Sequence, residues 1–119
     1  MIWVLVAVAG AIGSLARFEL GTWVAEHTES RIPVGTLAVN ALGSLLAGLV
    51  WAADLTPSTA AVVSSRFLGG FTTFSTWMVE TGRLMADDDT AARGIANLAT
   101  MLVAGLAGAF VGTAIRCCE

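Results

Sequence analysis

The chain has 119 residues, of which 56% are hydrophobic and 13% charged, with a mean hydropathy of +0.81. Soluble domains carry about 25% charged residues, so this composition excludes a water-soluble domain and marks an integral membrane protein. The net charge of −3, with no lysine and six scattered arginines, excludes a nucleic-acid partner.

A spanning helix needs about 20 apolar residues, so one domain over 1–119 has room for four short-looped spans. The first runs over 2–25. Its opening "MIWVLVAVAGAIGSLA" resembles a signal peptide, but no basic residue precedes the apolar run, which continues past Arg17; the stretch is expected to be a retained helix. The polar "EHTESR" at 26–31 closes it. Pro33 opens the second span over 33–53, which Asp54 and "TPS" at 56–58 end. The third segment covers 58–85, with Pro57 near its first turn. "ADDDT" at 86–90 forms the last loop, and its aspartates suit a helix N-terminus. The fourth span runs over 91–115.

Four spans place both termini on one side. Arg17, Arg31, Arg83 and Arg93 lie towards one face of the membrane, Arg66 and Arg116 towards the other. That is a weak positive-inside bias, compatible with insertion in both orientations or with an oppositely oriented partner. Small residues line the spans: Gly10, Gly13 and Ala16, then Gly43, Ala47 and Gly48, then Ala104, Gly108 and Gly112. In lipid such residues mark close helix packing.

Enzyme motifs are missing. His27 is the only histidine, so no histidine-based metal site or triad can be assembled. Asp87, Asp88 and Asp89 read as a solvated loop, and Cys117 and Cys118 as ordinary thiols.

Polar residues inside spans are functional candidates. Asn40, near the centre of the second span, can either make an interhelical hydrogen bond or present a donor to a ligand. Arg17 is expected at a vestibule or at helix-end carbonyls, and Glu19 at the interface. The octet "GGFTTFST" at 69–76 is the least helical stretch of the chain. Non-helical backbone at membrane depth is tolerated only when buried in protein or lining a wet cavity. Gly69 and Gly70 are expected to supply a flexible turn. Thr72, Thr73, Ser75 and Thr76 offer hydroxyls, and Phe71, Phe74 and Trp77 set aromatic edges beside them.

These stretches, "GGFTTFST" with Trp77 and Glu80, "GTLAVNALGSLLAGL" at 35–49 and "GAIGSLARF" at 10–18, resemble the Fluc/CrcB fluoride channels. The resemblance implies an all-α membrane protein of four transmembrane helices, the third broken mid-membrane, paired as an antiparallel, dual-topology dimer. It implies passive fluoride efflux across the plasma membrane. Asn40, Phe74, Trp77, Thr73, Ser75 and Thr76 would form the fluoride pathway, with Arg17 at its vestibule. A structural, non-transported sodium ion would sit at the dimer centre on the backbone carbonyls of Gly69 and Thr72.

Two departures stand out. Trp77 occupies a position where the family carries phenylalanine. The polar track of the family's fourth span maps to Asn97, Met101 and Gly105 and is thinned. Both suit either a homodimer or one half of a heterodimer with a paralogous subunit. The competing reading is a small multidrug-resistance-type cation exporter, which needs a membrane glutamate and could use only Glu19. A third is a non-transporting membrane scaffold.

Overall fold

The computed structural model describes residues 2–53 and 55–118. Asp54, expected to end the second span, lies outside the described residues, as does the side chain of Arg116. Among the described residues every regular element is helical.

Helix α1 covers Ile2–Glu26 and α2 covers Val34–Ala52. The end of α1 is closed by His27, whose Nδ1 lies 2.8 Å from the Trp23 carbonyl oxygen while its ring stacks on the Trp23 indole. Pro33 precedes α2 and accepts from the Leu37 amide at 3.2 Å, so the proline starts the helix without wasting a donor. The last helix, here α5, covers Ala91–Cys117.

Three stretches among the described residues are long and apolar enough to cross a membrane, Trp3–Glu26, Val34–Ala52 and Ala91–Ile115. The chain is therefore a multi-pass membrane protein. The stretch between the second and third of these is built differently. Helix α3 spans 57–71 and joins Pro57–Ala60, a π-helical Ala61–Leu68 and Gly69–Phe71. Pro57 is its first residue, and the Thr56 hydroxyl accepts from the Thr59 amide at 3.4 Å, a proline-at-N1 start with a threonine cap. Within the π-helical run the Ser64 hydroxyl donates to the Ala60 carbonyl at 2.5 Å, a side-chain bond that competes with the backbone ladder. Helix α4 then covers Phe74–Met85.

Gly69 and Gly70 do not form the flexible turn anticipated from their propensity. Both are helical, Gly69 at φ −64°, ψ −34°. At Gly70 the physical reason is close approach: a Cβ there would lie 2.5 Å from the Gly10 carbonyl oxygen of α1.

Packing among the helices uses the same device. A Cβ at Gly13 would collide with the Phe67 carbonyl, one at Gly48 with that of Ala109, and one at Gly112 with that of Leu45. Gly35 meets Gly21 in the same way where α2 leaves α1. The glycines thus bring backbones into van der Waals contact within one subunit. Val39, Leu68, Phe71 and Met101 are the buried apolar side chains among the described residues, contributed by α2, the end of α3 and α5, with Val39 beside Gly21 of α1. Trp3, Leu15, Phe18, Leu106 and Phe110 point outwards, as side chains facing lipid or a partner do.

Candidate functional site

The site forms where α3 stops. Thr72 (φ −82°, ψ 157°) and Thr73 (φ −145°, ψ 121°) are extended, and the helix resumes at Phe74. The Thr72 amide still reaches the Leu68 carbonyl at 2.9 Å, and its hydroxyl donates to the same oxygen at 2.9 Å. Both backbone groups of Thr73 are taken by one side chain. Its N–H donates to Asn40 Oδ1 at 2.9 Å, and its carbonyl accepts from Asn40 Nδ2 at 2.9 Å. Thr73 also caps α4, its hydroxyl accepting from the Thr76 amide at 3.3 Å and donating to Thr76 Oγ1 at 3.0 Å. Two side chains therefore satisfy an interruption that apolar surroundings would otherwise penalise.

Asn40 accordingly makes the interhelical bond that was one of its two readings. Its other recorded contact is with Met101 Sδ at 3.8 Å, a weak acceptor.

Two cavities open on either side of the break. The larger, about 570 Å³, is lined in part by Arg17, Thr36, Val39, Thr73, Thr76 and Glu80. The smaller, about 410 Å³, is lined in part by Asn40, Ser44, Phe74, Trp77, Met101 and Gly105. Thr72 and Thr73 also reach the smaller one, so Thr73 borders both. Of the residues singled out from sequence, Arg17 and Thr76 border the larger cavity, Asn40, Thr72, Phe74 and Trp77 the smaller, and Thr73 joins the two. Ser75 borders neither, with its hydroxyl 3.5 Å from that of Thr73. Gly69 also lies outside both cavities, on an exposed face with open space around it. Glu19 is exposed on α1.

Phe74 is 68% exposed and packs edge-to-face on Trp77, with ring centroids 5.6 Å apart and planes at 89°. The Trp77 Nε1 is buried without a hydrogen-bond partner. Of the three positions mapped to a polar track, Met101 and Gly105 line the smaller cavity but Asn97 does not. Asn97 is buried and donates to Thr81 Oγ1 at 2.9 Å, because α4 offers a hydroxyl at that level. Sequence reasoning passed over Thr36 and left Glu80 without a role. Thr36 Oγ1 donates to Glu80 Oε1 at 2.7 Å, and Glu80 Oε2 is buried without a partner. The available signal was a carboxylate in a segment otherwise free of acids.

Residues 4–113 match the family model described as "CrcB-like protein, Camphor Resistance (CrcB)". The chain belongs to the CrcB family. Among curated CrcB-family relatives, the "Fluoride-specific ion channel FluC 2" of Mycolicibacterium paratuberculosis is 40% identical over 111 residues, covering 93% of this chain and 90% of the relative. The "Fluoride-specific ion channel FluC 1" of Symbiobacterium thermophilum is 40% identical over 121 residues, covering 97% of both chains. The "Fluoride-specific ion channel FluC" of Solidesulfovibrio magneticus is 41% identical over 115 residues, covering 92% and 91%. The CrcB match takes in all but the first two residues of α1, the whole of α2 to α4 and most of α5.

Proposed function

We propose that this CrcB-family chain is a subunit of a fluoride-selective channel that lets fluoride leave the cell passively across the plasma membrane. The observation that carries this reading is the Asn40-clamped break at Thr72–Thr73, set between two cavities, in a chain about 40% identical to relatives named fluoride-specific channels. In this reading 1–119 is one domain and 57–85 is a fourth span, broken mid-membrane. At 1.5 Å per residue the two helices of that span add up to about 40 Å, ample for a core of about 30 Å.

Arg17 draws the anion into the larger cavity, where the hydroxyls of Thr76 and Thr73 lead towards Asn40. The Asn40 N–H that faces only a thioether is the one to give to fluoride, a far stronger acceptor. Phe74 and Trp77 offer their electropositive ring edges, Ser75 adds a hydroxyl, and the N-terminus of α4 favours negative charge. The exposure of Phe74 and the open face at Gly69 support a partner subunit across that surface. The partner is a second copy in antiparallel orientation or a paralogue; relatives with numbered names, FluC 1 and FluC 2, support the latter option.

The carbonyls of Gly69 and Thr72 fit a structural sodium ion at that dimer centre. Carbonyl oxygens are hard ligands suited to such a cation, and neither receives the donor that a continuous helix would supply, since the Thr73 and Thr76 amides are bonded elsewhere. Sodium there would supply positive charge that joins the two subunits.

The test is reconstitution in liposomes with a fluoride electrode and chloride as control, using the chain alone and with a paralogous subunit. Fluoride efflux far above chloride efflux is expected. Silence in both preparations, with inserted and dimeric protein, would refute the channel.

A further inference from the structure

In an uninterrupted α-helix the Thr73 N–H would bond the Gly69 carbonyl, and the Thr76 N–H the Thr72 carbonyl. Each of these donors is captured by a side chain instead. Asn40 Oδ1 takes the first at 2.9 Å, and Thr73 Oγ1 takes the second at 3.3 Å. The intervening Gly70 and Phe71 carbonyls likewise lose the Phe74 and Ser75 amides of a continuous helix, and of these Gly70 receives the Ser14 hydroxyl at 3.4 Å. So Gly69 and Thr72, the two carbonyls named above for the cation, lose their helical donors to side chains that hold those amides elsewhere, while the Gly70 carbonyl is supplied from α1.

We infer that Asn40 and Thr73 are positioning residues for the cation site: their side chains withhold the Thr73 and Thr76 amides and thereby keep the Gly69 and Thr72 carbonyls free for a sodium ion. This rests on the channel reading and extends it, because Asn40 then serves the anion pathway and the cation site together. Removing the Asn40 acceptor lets the Thr73 N–H return to Gly69 and closes the helix over the ligand. Removing the Thr73 hydroxyl does the same for Thr76 and Thr72. The Asn40 acceptor oxygen is the group that withholds the Thr73 amide, while its Nδ2 holds the Thr73 carbonyl at 2.9 Å.

The experiment is thermal unfolding of the full-length dimer in detergent, in sodium and in an equal concentration of N-methylglucamine. The wild type is expected to melt higher in sodium. Asn40→Leu and Thr73→Val are expected to lose that sodium-specific rise, while Asn40→Asp and Thr73→Ser, which keep an acceptor, retain it. A full sodium response in Asn40→Leu or Thr73→Val would overturn the inference and leave the channel reading standing. No sodium response in the wild type would overturn the cation assignment and the inference with it, and fluoride efflux would still judge the channel separately. Should Asn40→Leu fail to fold, the comparison of Thr73→Val with Thr73→Ser decides the matter.

Discussion

Gly43 lies one helical turn beyond Asn40 on α2, facing the break. An added Cβ would collide with the Thr72 Cγ2 and lie 3.3 Å from the Phe71 ring. Thr72 cannot rotate away freely, because its hydroxyl is bonded to the Leu68 carbonyl at 2.9 Å. Overpacking of this kind costs about 1–3 kcal/mol, and a lost hydrogen bond about 0.5–1.5 kcal/mol. Against these, alanine is favoured over glycine in a helix by about 1 kcal/mol. We therefore predict that Gly43→Ala destabilises the subunit by about 1–2 kcal/mol. The alternative outlet is for α2 to retreat, which draws Asn40 away from Thr73 and lowers fluoride efflux severalfold. Gly82 is the control, since a Cβ there meets nothing within 4 Å; Gly82→Ala should be neutral or slightly stabilising, with efflux unchanged. Thermal unfolding in detergent and efflux from liposomes read both variants. Wild-type stability and wild-type efflux in Gly43→Ala would refute the packing argument.

Thr81→Val leaves the buried Asn97 amide without its acceptor and should lower stability by about 1 kcal/mol, the scale of interhelical polar contacts in membranes. Efflux per folded dimer should be unchanged, and a selective fall in efflux would return Asn97 to the pathway. Phe74→Ile should preserve the dimer on size-exclusion chromatography yet abolish fluoride efflux; unchanged efflux would count against the assigned aromatic edge. Cys117→Ser with Cys118→Ser should change neither stability nor efflux, because both thiols are exposed and free; a loss in either measurement would give those thiols a role.

The three long apolar helices were legible because hydropathy and length alone define them. The break was legible only as composition. Glycine propensity pointed to Gly69 and Gly70, whereas the chain leaves the helix at Thr72, where no residue type forbids one. The decisive partner is Asn40, 33 positions away in sequence, and no local pattern reveals such a bond. Asn97 misled for the same reason. A polar residue on a span announces that it needs a partner, and whether that partner is Thr81 or an ion depends on which helix lies opposite. Thr36 and Glu80 could have been paired only by knowing that α2 and α4 share a cavity.

The π-helical Ala61–Leu68 gives the chain a place to change length. Each of its turns holds about one residue more than an α-helical turn, so losing a residue there tightens the coil instead of severing it. The stretch that carries the site is anchored from the last turn of this run onward, by Gly13 against Phe67 and Gly70 against Gly10. A deletion among 61–66 would therefore rotate only the outer end, around Thr56 and Thr59, and leave the threonines of the break in register. The same deletion inside 69–76 would turn every hydroxyl to another face. Insertions and deletions among family members should accumulate in the former stretch and be purged from the latter, an asymmetry that an alignment of many sequences would expose.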